Sequence, residues 1–109
     1  MGRHLVPLPD LVIATGATDS PAIGIGDLHD AEAIGFQAPS TVDGTVTLEV
    51  EMSPTGTNFS TLRTGGSDIT LTASKADVIT EVTFARIRVH QSVAAAATRT
   101  YKVCKQSAT

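Results

Sequence analysis

Val46, Leu48, Val50 and Met52 alternate without a break with Thr45, Thr47, Glu49, Glu51 and Ser53. Side chains of an extended strand point to opposite faces in turn, so the pattern predicts a strand over 45–53, apolar inside and wet outside. Glu49 and Glu51 are expected to face water together. A second strong strand is predicted over Glu81–His90, where the inward set switches from Val82 and Phe84 to Ala85, Ile87 and Val89. One extra residue near Phe84 would make that switch a bulge. On the outward side, Arg86, Arg88 and His90 read as a solvated strand face.

Weaker alternations fill in the rest. Strands are predicted from Leu11 to Ala14, Ser20 to Gly26 with Ile23 and Ile25 on one face, and Ala31 to Gln37. Further strands fall at Phe59–Arg63, Asp68–Thr72 and Arg99–Cys104, the last with Tyr101 and Val103 inward. Turn chemistry separates them: STVDG at 40–44, SPTGTN at 53–58 and TGGS at 64–67. A single helical turn is expected at Ser74–Asp77, and the alanine-rich stretch 91–98 is too short to stand as a helix. Seven or eight strands spaced about every ten residues, with no helical crossovers, point to an antiparallel sheet packing. The expected fold is all-β, a single antiparallel β-sandwich of jelly-roll type.

Residues 1–10 are expected to form an extended arm, because Pro7 and Pro9 lack amide protons and turn their predecessors away from helix. Leu5, Val6 and Leu8 make that arm apolar, so it should lie on a surface of its own domain or of a neighbour. The sandwich is placed at 11–105 and a short tail at 106–109.

Composition sharpens this picture. In 109 residues there is no Trp, one Tyr and three Phe, while Thr occurs sixteen times. A core of small aliphatics gives each strand modest buried area, which makes a partner surface or oligomer plausible. The net charge of −3 argues against nucleic acid, whose binding rests on clustered Lys and Arg. The opening MGRHLVPLP carries no apolar run long enough for a membrane span or signal peptide, so synthesis in the cytoplasm is expected.

Reactive chemistry is sparse. Asp27, His29 and Asp30 form the densest ligand-type cluster, yet a closed metal site needs three or four ligands and no second cluster supplies them. Gly24-Ile25-Gly26-Asp27 lacks the third glycine of a dinucleotide fingerprint and the Lys of a P-loop. No Gly-x-Ser-x-Gly elbow is present. Cys104 is alone, which rules out a disulfide within these residues, and it reads as a small buried or edge residue. The expectation is therefore no catalytic residues, no metal and no cofactor.

The segments IATGATDSPAIGIG (13–26), GTVTLEVEMSPTGTNFSTL (44–62), FARIRV (84–89) and RTYKV (99–103) together resemble the small capsid decoration, or cement, proteins of tailed bacteriophages. The resemblance implies a virion protein on the capsid surface that bridges neighbouring major capsid protein subunits, usually as a homotrimer or homodimer. It implies no enzymatic activity, no nucleic acid and no membrane. Leu5, Val6 and Leu8 would then be the capsid-contacting anchors of the arm. Related phage modules of head fibres or tails, and carbohydrate- or host-surface-binding modules, share the architecture and remain alternatives.

Overall fold

The computed structural model describes residues 4–55, 58–80 and 82–107. The first three residues of the expected arm, part of the turn at 53–58, Glu81 and the last two residues of the tail lie outside them.

Among the described residues, ten strands and one helical turn follow in chain order: β1 (His4–Ile13), α1 (Ile25–Leu28), β2 (Ala31–Gln37), β3 (Val46–Glu51) and β4 (Ser60–Thr61). Then come β5 (Arg63–Thr64), β6 (Ser67–Asp68), β7 (Thr70–Leu71), β8 (Ala76–Ile79), β9 (Arg86–Gln91) and β10 (Arg99–Ser107). One sheet, A, has the order β1-β10-β2-β8. In the other, B, β3 lies between β9 and an edge built from β4 and β7. Residues 19–23 bridge to the far side of β9 through Asp19–His90 and Ile23–Ile87. Counted as strands in chain order, with 19–23 second and β4 and β7 as one, the two sheets read 1-8-3-6 and 2-7-4-5. That interleaving of two Greek keys is the jelly roll, so the fold class expected from the sequence is the one observed.

The core lies between the sheets. Leu8, Leu11, Ile13, Ile34, Phe36, Ile79, Tyr101 and Val103 enter it from sheet A, and Val46, Leu48, Val50, Leu71, Ile87 and Val89 from sheet B. Leu8 and Leu11 are three apart and could not both face inward along a regular strand. The register shift between them inserts the residue that restores the alternation.

Several local expectations change. Residues 4–10 are the first part of β1, hydrogen-bonded to β10, and do not form a separate arm. Leu8 is in the domain's own core, Val6 is half-buried, and only Leu5 is open to solvent, at 72%. β10 runs on through Ser107, so residues 106 and 107 belong to the sandwich. The predicted helical turn at 74–77 is instead a turn closed by Lys75 N–H to Thr72 O (3.0 Å), with Ser74 at φ 63°, leading into β8. The helical turn sits at 25–28, at the end of the segment read as a strand. Strand β9 starts only at Arg86, and residues 82–85 approach it without pairing as a strand.

The edge of sheet B carries an insertion. Leu62 N–H bonds Leu48 O at 2.7 Å, and the next rung of β3, Thr47, pairs with Thr70. Residues 63–69 therefore leave the strand and return one rung later as the β5–β6 hairpin. Its two-residue turn, Gly65-Gly66, has φ of 61° and 85°, the conformation a tight hairpin needs and glycine tolerates.

Gly44 is held more strictly. Its φ is 69°, and a Cβ there would collide with Ser92 Oγ and the Val93 side chain. Thr45 N–H meanwhile bonds Ser92 Oγ at 2.8 Å, so the neighbour cannot move away freely. Gly44→Ala should destabilise the fold by about 2 kcal/mol or more. Thermal unfolding would then fall by roughly 8 °C or more; an unchanged midpoint in a circular-dichroism melt would contradict the assignment.

Candidate functional site

The outer face of sheet B is an ionic lattice. The β3–β9 register sets Glu49 opposite Arg88 and Glu51 opposite Arg86, so opposite charges meet as cross-strand neighbours. Arg88 donates through Nε (2.9 Å) and Nη2 (2.7 Å) to Glu49 Oε1. Arg86 Nη1 lies 3.3 Å from Glu51 Oε1, and the other Glu51 oxygen accepts the Asn58 N–H at 2.8 Å. Phe59 lies beneath both guanidinium groups, 4.9 Å from Arg86 and 4.1 Å from Arg88, so its ring adds cation–π attraction. Glu51 is consequently buried, contrary to the expectation that both glutamates face water. Met52, expected inward, is 68% exposed because the strand ends at Glu51.

Asp19 completes the lattice from the bridging segment. Its Oδ1 is 2.6 Å from His90 Nδ1; an ionised carboxylate only accepts, so Nδ1 carries the proton. Among the described residues, ligand atoms of Asp19, Glu49 and His90 all lie within 4.8 Å of one another. The Arg88 guanidinium, 2.7 Å from Glu49 and 3.8 Å from Asp19, already supplies the positive charge a cation would bring. The arrangement fits a self-neutralising plate better than a metal centre. The cluster singled out from sequence is not assembled: His29 pairs with Asp30 at 3.2 Å, both side chains at least half exposed.

A second polar network closes one end of the sandwich. Gln91, fully buried, accepts Tyr101 O–H at 2.8 Å through Oε1 and donates to Asp43 Oδ2 at 3.3 Å through Nε2. Arg99 grips Asp43 with two bonds, Nε to Oδ2 at 2.7 Å and Nη2 to Oδ1 at 3.2 Å. This bond from Arg99 holds the Asp43 carboxyl below its ordinary pKa. Burial, helped by the Asp43 charge, pushes the Tyr101 hydroxyl up to about 12. No buried side-chain nitrogen or oxygen among the described residues lacks a partner.

Sheet A presents a different exterior. Pairing places Pro7, Cys104, Gly35 and Val78 in one row across β1, β10, β2 and β8, with Leu5 and Ala33 flanking Gln106 in a parallel row. Leu5 and Val78 are 72% and 67% exposed, and Gly35 contributes no side chain. The result is a shallow groove of about 520 Å³ lined by Gly35, Gln37, Ala76, Val78, Lys102 and Cys104. Lys102, the charged residue of β10 on this side, is tied to Asp10 at 3.0 Å. Of the three anchors named from sequence, Leu5 alone belongs to this surface. Asp19, Asp43 and Gln91 were missed. Gln91 was the legible one, since it continues the inward set of Ile87 and Val89.

No protein-family model matches the chain, and no curated protein does. Among solved structures, the chain is similar to a protein of Bacillus endospore appendages, described as a novel family of disulfide-linked pili. The TM-score is 0.54 at 19% identity, over 97% of this chain and 86% of that one, a likeness of fold. No helix among the described residues is long and apolar enough to cross a membrane.

Two outcomes test these networks. Tyr101→Phe should cost about 1–2 kcal/mol at neutral pH by leaving Gln91 Oε1 without its short bond. Folding raises the Tyr101 pKa, so its contribution is complete below pH 10 and lost between pH 10 and about 12. Urea midpoints measured across that window should fall for the natural protein and stay flatter for the variant. A double-mutant cycle on Glu49→Gln and Arg88→Gln should give a coupling of about 0.5–1 kcal/mol. No measurable coupling would mean the lattice pairs add nothing.

Proposed function

We propose that this chain is a structural protein of a particle, a capsid decoration protein that docks on the outside of a phage head and bridges major capsid protein subunits. The observation that carries the reading is the contrast between the two exteriors. One face satisfies its own charges, while the other exposes Leu5 and Val78, the latter at the rim of a mostly apolar groove whose Lys102 is already tied to Asp10. An apolar patch rimmed by polar residues is the kind of surface that binds protein. The sequence resemblance supplies the partner class.

A fibre subunit is the second reading, favoured by the likeness to the endospore pilus protein. Disulfide linkage as named for that protein does not carry over simply. Cys104 is the one cysteine in these 109 residues, and a single thiol joins one chain to one other and cannot propagate a covalent polymer.

The two readings separate in one experiment. Purified protein added to heads assembled without it should bind at saturating, lattice-defined stoichiometry and raise their resistance to heat. Leu5→Asp should weaken that binding about tenfold or more while leaving the melting temperature within a few degrees, since Leu5 is solvent-exposed. Removing residues 1–10 is the poorer test, because it also takes Leu8 from the core. Failure to bind heads, together with filament formation by the protein alone, would replace the capsid reading with the fibre one.

A further inference from the structure

A jelly roll has four free sheet edges, and three of these are obstructed. β1 carries Pro7 and Pro9, which have no amide to offer a neighbouring strand. The bridging segment on β9 carries Pro21, and the β4/β7 edge is broken by the 63–69 hairpin. β8 has neither proline nor insertion.

The direction of its free groups follows from the register. Ala38 N–H bonds Lys75 O at 3.0 Å, and β8 pairs Phe36 with Asp77 and Ile34 with Ile79. Inward-directed amides and carbonyls therefore belong to Lys75, Asp77 and Ile79. Those of Ala76 and Val78 point away from the sheet, unclaimed by β2. Val78 also has its side chain on the outer face, at the rim of the groove.

The geometry points to a two-fold dimer in which β8 pairs antiparallel with β8 of a second copy, centred on Val78 and joining two sheets into one of eight strands. A second copy is the occupant proposed, because this edge can meet its own equivalent without setting like charges together. Antiparallel partners must present outward-directed groups to each other, so only even-numbered residues can match across the edge. Centring on Asp77 would set its half-buried carboxylate against the same group of the partner at the closest spacing, where like charges repel. Centring on Val78 avoids this. Val78 then exchanges both backbone bonds with its equivalent, Ala76 bonds Thr80 of the other copy, and the two valine side chains cover each other on the outer face. Both grooves meet across the axis as one trough. A four-residue edge buries less than the roughly 1,200 Å² of a stable interface, so the dimer is concentration-dependent. The dimer shares Val78 with the surface offered to the capsid but leaves Leu5, at the opposite edge of the sheet, uncovered, so Leu5→Asp separates the two.

Sedimentation equilibrium from micromolar to near-millimolar protein is the test, with circular dichroism confirming that each variant is folded. The natural chain should pass from monomer to dimer. Val78→Lys should raise the dissociation constant at least about tenfold, and Leu5→Asp should leave it unchanged. In a Cys104→Ser background, Val78→Cys should oxidise readily to a covalent dimer, because paired Cα atoms about 5.5 Å apart suit a disulfide. Ala76→Cys in the same background should not, since its equivalent lies several residues away. A monomer at every concentration, a trimer, a dimer indifferent to Val78→Lys, or preferential cross-linking through residue 76 would each overturn the proposal.

Discussion

The six-rung ladder between β3 and β9 is the constraint on which the rest of the molecule depends. Its inner side sets Leu48 and Val50 against Val89 and Ile87, all buried, and its outer side sets Glu49 and Glu51 against Arg88 and Arg86. A shift by one residue would send the charges into the core and the aliphatics into water, so the two sides enforce one register. Both edge pieces of sheet B hang on this pair: β4 and β7 on β3, the 19–23 bridge on β9. The ion pairs contribute little energy one by one, but they make the wrong alignments costly.

A core poor in aromatics leans on the few it has. Tyr101 and Phe36 are its largest fully buried side chains, and Tyr101 brings a hydroxyl that must be satisfied inside the protein. Gln91 meets that need and passes the demand to Asp43 and Arg99, where it ends in a two-bond ion pair near the surface. The network thereby ties the loop before β3, the end of β9 and the start of β10 at one end of the sandwich.

Much of the architecture was legible in the alternation itself. Strands β2, β3 and the early part of β10 fall where apolar and polar residues alternate, and the Gly65-Gly66 turn falls within the predicted 64–67. Local pattern failed where distant contacts decide the outcome. Glu51 looked like a wet residue, yet Arg86 and the Asn58 amide arrive from elsewhere in the chain to cover it. Asp19 meets His90 across 71 positions, and no local signal announces such a meeting. Two prolines argue for extension and so for an arm over 1–10, but extension also suits an edge strand, which is what the described part of that arm, 4–10, forms, with Leu8 in the core. The brief helical turn was misplaced because four residues carry too little propensity to choose between 25–28 and 74–77.

The 63–69 hairpin departs from sheet B at Leu62 and rejoins it at Thr70, so its two stems are anchored on consecutive rungs of β3 whatever lies between them. Its residues are exposed apart from Ile69, which rests partly on the core. Such a place can absorb changes in length and composition without disturbing the ladder behind it. In a lineage of such domains it is the position from which new outward decoration could grow, a scaffold's spare socket.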